Sequence, residues 1–306
     1  MSCLILADLS LAQLRQRLRN RGVWLRTGRF TTRIQSPVHL IAEGLHTMYA
    51  DFSLGEEDYA DFHIRLRSPH GLRSWLRPQV NFSLDGGEPF NPLPLNQAYA
   101  MLEWCLNWCV TSNVNTYLIL HAAVLERDGR ALVLPAPPGS GKSTLCAGLM
   151  LSGWRLLSDE LTLIDLAKGT IMPLPRPVSL KNASIDVIAA FAPGASFTRR
   201  THDTVKGTIC HLRPTAPSIT RSDDPAYPAW LVFPHWEADA PATLTPRPKA
   251  RAFMEAVSNA FNFSLLGAQG FTALGGLIER CDCYDFRYGR LEEAVALFNA
   301  LELPRS

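Results

Sequence analysis

The sequence predicts an α/β protein with a smaller β-rich α+β region ahead of the main domain, and three observations lead there. A glycine-rich loop, Ala136 to Thr144, follows the apolar run Ala131-Leu-Val-Leu-Pro135 and opens a helix-forming stretch, Leu145 to Leu151. That is the strand, loop and helix order of α/β proteins. Residues 22 to 84 break instead into short alternating runs punctuated by Gly, Pro, Asp and Asn, which is strand spacing. The chain of 306 residues is long enough for two domains, placed at 1–112 and 113–306.

In chain order, Leu11 to Asn20 spaces leucines between arginines as a helix does. Val23-Trp-Leu-Arg, Arg33-Ile-Gln, His63-Ile-Arg-Leu-Arg and Val80-Asn-Phe-Ser-Leu are the strand runs. A proline-rich link, Pro89 to Pro94, leads into a helix over Leu95 to Cys109, expected to bridge the two domains. Buried strands are then expected around Thr116 to Leu125, Arg130 to Leu134 and Trp154 to Asp165. Pro173 to Pro248 shows few periodic elements and is expected to form functional loops. Helices resume over Ala250 to Phe261 and Leu291 to Leu301.

Composition narrows the partners. Apolar residues make up 47%, and 30 Lys plus Arg face 28 Asp plus Glu. No global basic field points to nucleic acid or to an anionic membrane, so neither is expected as a partner. The first residues, Met-Ser-Cys-Leu-Ile-Leu-Ala-Asp, lack a basic start with a long apolar core, and no run approaches the roughly 20 apolar residues of a membrane helix. A cytoplasmic protein is the expectation. Seven cysteines, scattered and odd in number, are expected to be reduced thiols.

The loop carries the chemistry. The loop residues Ala136, Pro138, Gly139, Ser140 and Gly141 are expected to wrap phosphate, all but Pro138 through backbone N–H groups, aided by the dipole of the following helix. Lys142 would reach the terminal phosphates, and Ser143, with Thr144 beside it, would offer a hydroxyl to Mg2+. ATP with Mg2+ is the expected cofactor. Phosphoryl transfer needs carboxylates too, and Asp159 and Glu160 close the run Leu156-Leu-Ser. Arg176, Lys181 and Lys206 are cations suited to a phosphoryl-transfer transition state.

His121, the loop and Asp159-Glu160 together resemble the HPr kinase/phosphorylase family, His121 lying 21 residues before Lys142 and Asp159 17 after it. Gly153-Trp-Arg-Leu-Leu-Ser-Asp-Glu-Leu, Arg176-Pro-Val-Ser-Leu-Lys-Asn, Thr204-Val-Lys-Gly-Thr, Phe233-Pro and Ala252 to Phe263 resemble its HPr-related kinase A branch. The resemblance covers roughly residues 116 to 301. It implies a PEP-carboxykinase-like P-loop kinase fold and ATP-dependent phosphorylation of a Ser or Thr hydroxyl on a small protein or peptide. It also implies roles: Asp159 as base, His121 as its electrostatic partner, Lys142 on the β and γ phosphates, and Ser143 with Glu160 on the metal. Assembly into homo-oligomers would follow from it as well. Ala136, Thr144 and Glu160 depart from the family pattern at the first loop glycine, the acid after Ser and the second Asp. Two alternatives stay open: a small-molecule kinase, and a nucleotide-sensing scaffold that grips a partner protein without chemistry.

Overall fold

The computed structural model describes residues 4–69 and 76–302, so Met1, Ser2 and Cys3 of the leader reading lie outside the described residues. The fold is mixed α/β, with several sheets and intervening helices. It divides into two compact units, residues 1–112 with 195–213, and residues 113–194 with 214–306. Residues 195–213 thus group with the first unit, although a single break after 112 would assign them to the second.

In the first unit a five-stranded sheet has the order β1-β2-β3-β4-β5. Its strands are β1 (Val23–Thr27), β2 (Phe30–Gln35), β3 (Phe62–Arg67), β4 (Gln79–Leu84) and the short β5 (Leu93–Pro94). Strands β2 and β3 run parallel and the other neighbours antiparallel. Strict alternation along β3, with Phe62, Ile64 and Leu66 inward and His63, Arg65 and Arg67 outward, gives the sheet one buried face. Helix α1 (Leu11–Arg19) starts at Ser10, whose hydroxyl accepts from the Gln13 N–H while the Gln13 side chain reaches back to Ser10, a reciprocal cap. Helix α2 (His39–Met48) lies within the stretch read as β-rich, because Ile41, Ala42, Leu45 and Met48 recur at helical spacing and are buried. Helix α3 (Ala98–Asn113) is apolar nearly all round and buries Glu103, whose carboxylate accepts from Tyr49 at 2.9 Å and Tyr99 at 2.6 Å.

In the second unit come β6 (Tyr117–Arg127), β7 (Arg130–Pro135), α4 (Lys142–Leu151), β8 (Arg155–Ser158), β9 (Leu161–Asp165), β10 (Ile171–Met172), β11 (Val178–Lys181) and α5 (Ala183–Phe191). The chain next supplies the hairpin of β12 (Thr201–Thr204) and β13 (Gly207–Leu212) to the first unit. There Arg213 pairs with Asp51, the His211 ring meets Tyr99 edge-on at 5.3 Å, and Gln97 donates to the Asp203 carbonyl. The second unit resumes with α6 (Ala216–Thr220), β14 (Tyr227–Trp236), β15 (Thr243–Pro246), α7 (Lys249–Ser258), α8 (Phe263–Leu266), α9 (Ala268–Arg280), β16 (Asp282–Tyr288) and α10 (Leu291–Asn299). The stretch 173–248, expected as irregular loops, is therefore largely strands and short helices.

The large sheet has the order β10-β9-β6-β7-β14-β16-β15, with β8 also on β6. Its centre, β7, β14 and β16, is parallel, and β6 joins antiparallel. Leu118, Leu120, Val124, Val133, Leu231 and Phe233 meet Leu274 and Leu277 of α9 in one buried cluster. Among the described residues, the cysteines are buried and form no disulfide. No helix among them is long and apolar enough to cross a membrane.

Candidate functional site

Parallel strands bring their carboxyl ends to one edge of a sheet, and ligands of α/β proteins settle there. In this chain β7, β14 and β16 all end at the glycine-rich loop. The Trp236 N–H, ending β14, donates to the Ser140 carbonyl at 3.0 Å. The Tyr288 hydroxyl, ending β16, donates to the Gly141 carbonyl at 2.8 Å. Gly139 and Gly141 stand at φ of 90° and 85°, conformations that a side chain rarely adopts. Gly141 caps α4, whose first residue is Lys142, and the Leu145 N–H bonds back to the Gly141 carbonyl.

Register explains how distant residues join the loop. Ala122 of β6 pairs with Pro135 of β7, so His121 falls beside Ala136 where the loop begins. On the other side of β6, His121 pairs with Leu161, which brings the preceding Glu160 alongside. The result is a chain of contacts. Lys142 Nζ lies 3.3 Å from His121 Nε2, and the same nitrogen lies 3.3 Å from Glu160 Oε2.

A cavity of about 450 Å³ opens over this edge. Of the residues expected to act here, Ala136, Pro138, Gly139, Ser140, Gly141, Lys142, Ser143, Thr144, His121, Glu160 and Lys181 all line it. Three others are placed differently. Asp159 is buried behind the wall, where one carboxylate oxygen accepts the Ser179 N–H at 3.1 Å. Arg176 is buried on the segment leading to β11 and does not line the cavity. Lys206 belongs to the first unit, on the turn between β12 and β13, with its ammonium 5.4 Å from the Trp104 ring. Asn182, Ser184, Val187, Trp236 and Tyr288 also line the cavity without having been singled out from the sequence. Trp236 had a legible signal, since it ends the buried run Ala229 to Phe233 at the edge where a loop is expected.

The two acids titrate in opposite directions. Burial raises the Asp159 carboxyl above the usual carboxylate range, and the charge of Glu160 adds to it. Lys142, the Ser179 N–H and the Ser143 hydroxyl offset only part of this. Burial would raise Glu160 too, but the His121 hydrogen bond and the charges of Lys142 and Lys181 hold it well below that range. Burial also keeps the nearby Cys146 thiol protonated, reinforced by Asp159.

The donor set fits a polyphosphate with a divalent cation. Two left-handed glycines shape the backbone cradle, two lysines supply charge, and Ser143 and Thr144 supply hydroxyls. The buried Ser140 Oγ, Ser179 Oγ and Asp159 Oδ1 make no hydrogen bond within the structure, unusual for groups so enclosed. Among the described residues no cluster of three or more His, Cys, Asp or Glu is assembled for a metal. Mg2+ bound with a nucleotide needs none, because it leans on phosphate oxygens and water.

Comparison with curated proteins gives no match. The model of a family described as SynChlorMet cassette protein ScmC matches residues 96–178, from the start of α3 through the loop to the beginning of β11. This is ScmC and not an HPr kinase family, so the finding overturns the HPr kinase resemblance and the serine/threonine kinase class drawn from it. What the chain is similar to, over little more than a quarter of its length and including the whole glycine-rich loop, is a SynChlorMet cassette protein ScmC.

Proposed function

We propose that this chain binds ATP with Mg2+ at residues 136–144 and acts as a nucleotide-sensing component whose bound state engages a partner protein. The observation that carries the reading is the convergence of three parallel strand ends on a loop with Lys142 at the head of its helix, facing a cavity that also receives Lys181. Loop N–H groups and the helix dipole would hold the phosphates. Lys142 and Lys181 would balance their charge, and Ser143 with the ionised Glu160 would serve the cation. Once bound, the cation supplies charge neutralisation at the phosphates. Sensing is the reading supported by Asp159, the expected base, which is 4% exposed and already engaged by the Ser179 N–H and the Ser143 hydroxyl. The finer fold class, a PEP-carboxykinase-like phosphate-loop domain, belongs to the same proposal. It is supported by the direct succession of β7, loop and α4 within a mixed sheet.

Calorimetric titration with Mg-ATP tests this, with phosphate release and transfer to added proteins followed in the same samples. Lys142→Ala is expected to weaken binding at least a hundredfold, as loss of a charged contact to phosphate would. Undiminished affinity in that variant would sink the site. Steady turnover that disappears in Asp159→Asn, with binding retained, would sink the sensing reading and restore a catalytic one.

A further inference from the structure

The solvent face of the five-stranded sheet in the first unit carries a row of arginines. Register places Arg33 between Trp24 and His63, Gln35 beside Arg65, and Arg67 beside Asn81. Near the end of α1, a groove of about 660 Å³ runs between Arg19, Arg65 and Arg67, with Gln35, Ser36, Pro37, Ser68 and Pro69 also lining it. Among the described residues no Asp or Glu lines it.

The three guanidinium groups are poorly satisfied by the protein itself. Arg19 makes no hydrogen bond or ion pair with any described residue. Among the described residues Arg65 uses only its Nε, donated to Gln35 Oε1 at 2.9 Å, and Gln35 is itself fixed by donating to the Asn20 carbonyl at 2.7 Å. The fork is therefore aimed while its terminal NH2 groups are left to a ligand. Arg67 meets Glu88 at 3.3 Å in an exposed pair, which a competing carboxylate can replace at little cost.

We infer that this groove is a docking site for an extended, acidic peptide segment of a partner protein. Guanidinium forks match carboxylates two bonds at a time, and Gln35, Ser36 and Ser68 between them can hydrogen-bond an extended peptide backbone. Nucleic acid fits less well. Base stacking needs an open aromatic face, whereas Trp24 is buried and covered by Arg33, whose guanidinium carbon lies 5.0 Å from its ring centre. This inference stands whether or not the other unit binds ATP.

The test uses the full chain and a fluorescent peptide of alternating Glu and Ala, read by anisotropy. Binding is expected, weakening as salt is added. Arg65→Gln and, on a separate element, Arg19→Gln should each lower affinity at least tenfold. Arg65→Glu should shift preference to a Lys-Ala peptide. Melting temperatures equal to wild type, together with unchanged Mg-ATP titrations, separate these losses from misfolding. No binding by wild type, equal affinity in both Gln variants, or tighter binding of a single-stranded oligonucleotide of the same length would overturn the assignment.

Discussion

At Gly141 the backbone has to do what a side chain would prevent. Its φ of 85° is left-handed, and an added Cβ would fall 2.4 Å from the Tyr288 hydroxyl and 2.8 Å from Trp236 Cβ. Gly141→Ala is expected to cost about 2 kcal/mol or more in a denaturant melt and to abolish Mg-ATP binding. Gly139, with open space around its missing Cβ, should tolerate alanine better, at a cost set by its φ alone. Two carboxylates give pH predictions of opposite sign. Burial pulls Glu126 upward, but the Arg155 hydrogen bond, the Gly129 N–H and the charges of Arg155 and Arg221 lower it overall. Its stabilisation is complete above the ordinary carboxylate range and fades as pH falls through its depressed folded value. Glu126→Gln should flatten that acid-side loss while lowering stability at neutral pH by about 3 kcal/mol, since it leaves Arg155 buried and unpaired. Asp159 behaves in reverse. Its carboxyl is raised in the fold, so its charge costs stability above the ordinary range and the cost disappears on acidification. Asp159→Asn should therefore raise the neutral-pH melting temperature, with a gain of about 1 kcal/mol.

Elements were legible where one signal dominated. The run Ala131 to Pro135, the loop and α4 could be placed because strand, glycines and helix follow each other without interruption. Helix α1 was legible from its leucine spacing. By contrast, the apolar run from Trp154 to Asp165 reads as one strand, yet it is two, β8 and β9, both on β6 and separated by Asp159 and Glu160. Periodicity cannot show a two-residue break when both halves are apolar and buried on each face. Helix α9 went unread because its glycines, Gly270, Gly275 and Gly276, look like loop residues, although Ala273, Leu274, Leu277 and Ile278 form a buried stripe. Arg247 was likewise invisible among prolines. Its buried guanidinium pairs with Glu255 of α7 and Asp285 of β16, and lies 4.0 Å from the Phe233 ring of β14. It pins α7 to the sheet. Arg247→Ala is expected to destabilise by about 3 to 5 kcal/mol. Arg247→Lys should recover little, because a single ammonium cannot serve two carboxylates while lying flat on a ring. Urea melts of the two variants, compared with wild type, check this.

For the whole molecule, the grouping of residues 195–213 with the first unit was not legible in the sequence, since long-range pairings such as Arg213 with Asp51 leave no local trace. The cavity was readable as far as the loop, His121, Glu160 and Lys181. Tyr288 was not, because only the order of parallel strands brings it there. The two proposed sites lie in different units, and hydrogen exchange can tell them apart. Saturating Mg-ATP should protect amides near 136–144 and 179–182, raising stability by about 2.7 kcal/mol at a hundredfold excess over Kd. The acidic peptide should protect the amides around Arg19, Gln35 and Arg65 instead. The bonds from Trp236 and Tyr288 to the loop carbonyls bear on the heat of binding. They fix the cradle's shape during folding, so little conformational entropy remains to be lost when phosphate arrives. Warming that loosens the ends of β14 and β16 should then erode affinity well below the temperature at which the sheet itself gives way. In this protein the thermal range of ligand binding would be set by two strand tips and not by the core.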